Sequence, residues 1–187
     1  METIRLFIAI EIPDAVKDQV EDLVNQFKKT RTDIKWVCPE NIHITLKFLG
    51  YTTVNRLGDV QDGLQEAVDT IQPFQLELQR VGAFPDLNRP RVFWIDIDRG
   101  QETLMALQQR VEKALSLRRF VREERPFLPH LTIGRVRSPR GLRALTEQIQ
   151  SVTFKTQVFS VDRVVVVKSD LQSARPIYTV MNHINLV

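Results

Sequence analysis

Apolar positions along this chain follow two periods. Short runs rich in β-branched and aromatic residues alternate with longer stretches in which apolar residues recur every three or four positions. Ile4 to Ile10 is the first run and predicts a strand. Beyond Pro13, the residues Val16, Val20, Leu23, Val24 and Phe27 form one helical stripe, with Asp14 as its N-cap. Ile34 to Val37 predicts a short strand, and Ile42 to Gly50 a longer one that the glycine ends. From Thr53 onward, Leu57, Val60, Leu64, Ala67, Val68 and Ile71 stripe a second helix, which Pro73 breaks. Phe74, Leu76 and Leu78 alternate with Gln75, Glu77 and Gln79, the pattern of a strand with one wet face, and Gly82 to Pro90 reads as a loop.

The second half repeats this order. Arg91 to Ile97 predicts a strand, and Leu104, Leu107, Val111 and Ala114 mark a third helix. Leu128 to Arg135 predicts another strand, and Ser138-Pro139 opens a fourth helix striped by Leu142, Leu145 and Ile149. Val161 to Val167 and Ile177 to Ile184 are the last strands, with Lys168 to Pro176 as the loop between them. His130 lies 87 residues after His43, and the same offset carries the first strand, both helix starts and the Phe74 strand onto counterparts. Register over several elements predicts a duplicated unit, spanning roughly 4–81 and 91–167, with strand 177–184 completing one bilobal domain over 1–187. The two lobes are expected to be related by a pseudo-two-fold axis, with the two histidine strands facing each other across a cleft.

Those strands hold the candidate chemistry. Side chains alternate across a strand, so His43 and Thr45 share a face, with Lys47 next, and Ile44, Leu46 and Phe48 take the core side. His130 and Thr132 share a face in the second, with Leu131 and Ile133 opposite. By strict alternation Arg135 points away from His130 unless the strand twists or ends at Gly134. One such histidine reads as half-buried and bonded to its neighbouring hydroxyl. Two at equivalent positions, each with a threonine two residues on, suit a phosphodiester. One neutral ring takes a proton from water and the other, protonated, gives one to the leaving oxygen. Each threonine can donate to a phosphate oxygen. The residues alone leave open which ring is the acid.

Composition narrows the alternatives. The chain has 187 residues, 43% of them hydrophobic, and a net charge of +3. That supports one substantial core and is too mild for a non-specific nucleic-acid coat. Cys38 is the only cysteine, which excludes an internal disulfide; it reads as a small buried residue rather than a nucleophile. Neither motif histidine has a second His, Asp, Glu or Cys at i+2 or i+4, so no metal and no cofactor are expected. The apolar run Leu6 to Ile10 is too short for a signal peptide, and no run reaches a membrane span, so a cytoplasmic protein is expected; it is also expected to be a monomer. The third histidine, His183, lacks the threonine and reads as structural or exposed. Arg89-Pro90 and Arg175-Pro176 read as turns that could also rim the cleft with Tyr178, and Trp36 and Trp94 as core.

His43-Ile44-Thr45-Leu46 and His130-Leu131-Thr132-Ile133 resemble the paired H-x-T-x motifs of the two-histidine phosphoesterase superfamily. Arg5 to Ile10, Thr45 to Gly50 and Pro129 to Arg135 are similar to the RNA 2′,3′-cyclic phosphodiesterases, also called 2′-5′ RNA ligases, and the resemblance spans nearly the whole chain. It implies a bilobal α+β fold in which two antiparallel sheets line a central cleft, with helices outside. It implies hydrolysis of an RNA 2′,3′-cyclic phosphate to a 2′-phosphate without metal, and for some members the joining of tRNA halves through a 2′-5′ linkage. His43 would be the proton donor and His130 the proton acceptor. Thr45, Thr132 and Arg135 would hold the phosphate, and Phe48 would stack on the terminal base. Two other uses are compatible with the sequence: an RNA-end binding or joining module with incidental hydrolysis, and a phosphodiesterase for a small cyclic nucleotide.

Overall fold

In the computed structural model, which describes residues 2–173 and 175–187, nine strands and four helices alternate. They are β1 (Thr3–Glu11), α1 (Asp14–Lys28), β2 (Ile34–Trp36), β3 (His43–Thr53), α2 (Leu57–Val68), β4 (Phe74–Phe84) and β5 (Val92–Arg99), followed by α3 (Gln101–Leu117), β6 (His130–Val136), α4 (Leu142–Ser151), β7 (Phe159–Val161), β8 (Arg163–Asp170) and β9 (Ile177–Asn185). The α+β, two-sheet expectation holds. One sheet has the order β3-β1-β8-β9 and the other β2-β6-β5-β4-β7, with every pairing antiparallel.

The lobes do not coincide with the sequence halves. β8, from the second half, pairs with β1, while β4, from the first half, pairs with β5. The helices cross over as well. Phe27 of α1 stacks on Trp36 of β2 at 6.2 Å, and Trp36 on Phe93 of β5 at 6.5 Å, so α1 covers the second sheet. Gln108 of α3 donates to the Leu46 carbonyl of β3 at 3.4 Å, so α3 covers the first. Each helix buries its apolar stripe as the periodicity requires: Val16, Val20, Leu23, Val24 and Phe27 in α1, and Leu104, Leu107, Val111 and Ala114 in α3.

A large core runs between sheets and helices. A separate small cluster, Phe7, Ala9, Val165 and Val167 with Tyr178 against it, lies on the opposite face of the first sheet. This is why Leu6 to Ile10 is apolar without interruption: β1 is buried on both faces, one under helices and one under this second cluster.

Several boundaries differ from expectation. Gly50 does not end β3; it adopts φ +67°, pairs with Leu6, and the strand continues to Thr53. β4 likewise runs on to Phe84, through part of the expected loop. Pro13 is the N-cap of α1, and Asp14 is its first residue, paired with Lys17 at 3.2 Å. α4 starts at Leu142, after Gly141 at φ +72°, so Ser138-Pro139 lies in the turn before it. The strand expected at Val161 to Val167 is split in two around Asp162, and β8 reaches Asp170. Of the loop expected at 168–176, Ala174 lies outside the described residues.

Candidate active site

The two motif strands do not alternate strictly, and that changes their faces. Along β1 and β3, Ala9 pairs with Thr45 and Ile8 with Lys47, while Phe7 pairs with Phe48 and Leu6 with Gly50. Leu46 and Leu49 are therefore extra residues, two bulges in one strand. Each inserted residue reverses the parity of the residues beyond it. His43, Thr45, Phe48 and Tyr51 consequently share a face with Phe7 and Ala9, since cross-strand partners project to the same side. Phe48 is 62% exposed there. Its expected place on the core side is corrected.

Lys47 moves the other way. Rather than joining His43, it enters the core with its side chain 2% exposed. Its ammonium donates to both carboxylate oxygens of Glu112 at 2.7 and 2.8 Å and to the Val121 carbonyl at 2.7 Å. Glu112 also accepts from the Glu123 amide at 3.0 Å. A buried charge is tolerable only when fully partnered, and this one uses all three of its donors.

The second strand carries one bulge at the matching position. Phe93 pairs with Gly134 and Trp94 with Thr132, which leaves Ile133 extra. Arg135 is thereby brought to the face of His130 and Thr132. Glycine at 134 has a packing reason: a Cβ there would lie 2.8 Å from Trp36 Cε3 and 2.9 Å from Ile34 Cγ2. Trp94, expected in the core, pairs with Thr132 and so faces the cleft, half-buried. Its ring contacts Phe84 at 5.1 Å, and Phe84 meets His130 edge-on at 5.0 Å. Phe7 occupies the corresponding place beside His43, at 4.7 Å.

Both imidazoles are oriented in one way. His43 Nδ1 lies 2.7 Å from the Asn41 carbonyl, and His130 Nδ1 lies 2.6 Å from the Leu128 carbonyl. A carbonyl only accepts, so each Nδ1 carries the hydrogen and each Nε2 is left for other use. Asn41 is itself held, its side-chain amide donating to the Pro176 carbonyl at 2.9 Å. His43 Nε2 sits 2.9 Å from Thr45 Oγ1, whereas His130 Nε2 has no partner among the described residues.

Their environments differ. Phe7 and the edge of Tyr178, at 5.3 Å, enclose His43, and burial lowers its pKa to about 4, with the Asn41 carbonyl opposing. The His130 pKa is also lowered, first by burial and then by the Arg135 charge, with the Leu128 carbonyl opposing. Burial raises the Tyr178 pKa, while Arg5 and Arg135 pull it down. Arg135 thus acts on His130 of one sheet and on Tyr178, which touches His43 of the other, so the two motif faces share one cleft.

The remaining candidate residues occupy ordinary places. His183 is half exposed and lies 3.7 Å from Glu11. The Arg89 amide donates to Asp86 in a turn, and Arg175 pairs with Glu40 at 3.5 Å. Cys38 is a free, partly buried thiol. Among the described residues no three His, Cys, Asp or Glu side chains gather as a metal site, and no helix is long and apolar enough to cross a membrane. Tyr178, a rim candidate from the sequence, does lie against His43, whereas Phe7, Trp94 and Phe84 carry no local sequence signal as site walls. The 87-residue offset, which carries Phe7 onto Trp94, is the one available clue.

Comparison with known proteins places this architecture. The profile of the 2′-5′ RNA ligase superfamily matches residues 12–172. An RNA 2′,3′-cyclic phosphodiesterase of Methanothermobacter thermautotrophicus is 31% identical over 179 residues, 95% of this chain and 96% of its own length. One from Methanocaldococcus jannaschii is 35% identical over 181 residues, 95% of this chain and 98% of its own. Among solved structures, apo LigT of E. coli superposes with a TM-score of 0.79 at 22% identity, covering 100% of this chain and 99% of LigT, which speaks to the fold. With its fold, its two motifs and its relatives in agreement, the chain belongs to the 2′-5′ RNA ligase superfamily and, within it, to the family of RNA 2′,3′-cyclic phosphodiesterases.

Proposed function

We propose that this chain opens the terminal 2′,3′-cyclic phosphate of RNA to a 2′-phosphate, without a metal ion, by general acid–base catalysis between His43 and His130. The observation that carries it is the matched pair of tautomer locks: both rings offer Nε2 to the cleft, each on a face with a threonine hydroxyl. The relatives named RNA 2′,3′-cyclic phosphodiesterase support the substrate class. The same reading takes residues 1–187 as one bilobal domain of two repeated units sharing the cleft.

The unpartnered Nε2 of His130 suits it to take a proton from water. The water oxygen attacks phosphorus, the bond to O3′ breaks, and O3′ takes the proton of His43 Nε2. In the free protein His43 is neutral at pH 7, because burial disfavours its charged form. An anionic phosphodiester beside it favours protonation, so substrate helps to charge its own acid. Protonation of Nε2 ends its acceptance from Thr45 Oγ1, which frees the threonine hydrogen to turn toward a phosphate oxygen while the new Nε2–H faces O3′. Thr132 and Arg135 hold the remaining non-bridging charge, and Phe48 carries the terminal base. A 5′-hydroxyl in place of water yields a 2′-5′ linkage by the same proton transfers.

The test is hydrolysis of a nucleoside 2′,3′-cyclic phosphate in excess chelator. The expected product is the 2′-monophosphate, with losses of about 10²- to 10⁴-fold in His43→Ala and in His130→Ala. A 3′-monophosphate product overturns the assigned roles, and full activity in either variant overturns the mechanism.

A further inference from the structure

We propose that Tyr51 and Arg5 form a subsite for the nucleotide on the 5′ side of the cyclic-phosphate terminus, so that an RNA oligonucleotide is preferred to a mononucleotide. The proposal rests on the phosphodiesterase reading above.

The second bulge of β3 is its starting point. The first, at Leu46, is enough to bring Phe48 to the face of His43. The second, at Leu49, has its effect further on: it lets Gly50 pair with Leu6 and Tyr51 with Arg5. Without it the parity of Tyr51 would be reversed and its ring would turn toward the helices. With it, His43, Thr45, Phe48 and Tyr51 run in line along one face. Phe48 and Tyr51 are 62% and 73% exposed, two neighbouring aromatic rings left open to solvent.

Arg5 lies beside Tyr51 on the same face, two residues from Phe7, a step of about 6.6 Å along the strand. Its guanidinium is held by Ser169 Oγ at 3.3 Å and has no carboxylate partner among the described residues. The neighbouring Asp170 is engaged with Lys168 at 3.1 Å. A cavity of about 310 Å³ opens there, lined by Thr3, Arg5, Tyr51, Lys168 and Ser169 and also by Glu2 and Asp170. An open aromatic ring beside a guanidinium that makes no salt bridge of its own among the described residues, at one nucleotide's remove, is the pairing that single-stranded RNA uses: base on ring, phosphate on cation. Stacking uses the π-face that every base has, so any base suits the ring.

The experiment compares kcat/KM for a nucleoside 2′,3′-cyclic phosphate with that for a dinucleotide ending in the same cyclic phosphate. The dinucleotide is expected to be better by roughly 5- to 150-fold, the range that one base–aromatic stack supplies. Tyr51→Ala brings that ratio close to one, Tyr51→Phe keeps it, and Arg5→Ala lowers it while flattening its dependence on salt. A wild-type ratio near one, or a ratio untouched by Tyr51→Ala, overturns the subsite and leaves the phosphodiesterase standing. If neither substrate turns over, the phosphodiesterase reading falls, and titration with a 3′-phosphorylated dinucleotide against its mononucleotide decides the subsite. Selective weakening of the dinucleotide by Tyr51→Ala then supports it, and equal binding overturns it.

Discussion

The strands β3 and β6 are the same device with different fillings. Each carries a histidine locked through Nδ1 to the carbonyl two residues before it, a threonine two residues after it, and a bulge that reverses parity one position later. The residue that the bulge turns inward is Lys47 in one and Gly134 in the other; the residue that it turns outward is Phe48 in one and Arg135 in the other. One wall of the cleft therefore ends in an apolar platform and the opposite wall in a cation. A nucleotide terminus has the same two ends, a base and a phosphate. The difference between two similar strands is what gives a near-symmetric cleft a direction.

The inward positions are the sharpest test of this pairing. Glu112→Ala strands the Lys47 ammonium in the core and is expected to cost about 3–5 kcal/mol of stability, the usual result of removing one partner of a buried pair. Lys47→Met combined with Glu112→Leu, which removes both charges, is expected to cost much less. Urea unfolding measures both, and equal losses would show that the buried charge is not the issue. Gly134→Ala should cost about 1–3 kcal/mol by pressing a methyl against Trp36.

The outward positions separate chemistry from binding. Arg135→Ala is expected to lower kcat by about 10²- to 10³-fold, as loss of a donor to developing charge does. Phe48→Ala should act chiefly through KM, by roughly 5- to 150-fold for a base stack. Steady-state kinetics on a nucleoside cyclic phosphate reads both, and an effect of Phe48→Ala confined to kcat would break the division of labour.

The smallest effect concerns the environments of the two rings. His43 has its pKa lowered to about 4 by burial, so between pH 6.5 and 4 the unfolded chain binds a proton that the folded one refuses. Stability must fall as pH falls through that window, by at most about 3 kcal/mol, and be unaffected by this group above it. His43→Asn removes the proton-binding site, so its stability relative to wild type should improve from pH 7 to pH 4. A constant difference across that range, measured by denaturant titration, would mean that enclosure by Phe7 and Tyr178 does not govern the ring.

Much of the fold is legible in the sequence because it rests on local periodicity. The stripes of α1 and α3 and the apolar run of β1 require no tertiary information. The motif histidines and threonines are legible too, since a spacing of two keeps side chains on one face in any strand. Phe48, Arg135 and Lys47 are not, because each lies beyond an inserted residue. Trp94 reads as core from sequence, and wrongly, for a related reason. Its apolar bulk suits either face of β5, and only the pairing with Thr132 decides which.

What the sequence determined by itself is the candidate set: two histidines, two threonines and a repeated order of elements that puts them at equivalent places. Periodicity and spacing are written into neighbouring residues, so they survive without a structure. Which face each later residue takes was decided only by tertiary structure. Lys47 is drawn inward by a carboxylate 65 residues away, and Gly134 is packed by the ring of Trp36 from another strand. A bulge forms where such distant partners outweigh strict alternation, and no local pattern records that balance.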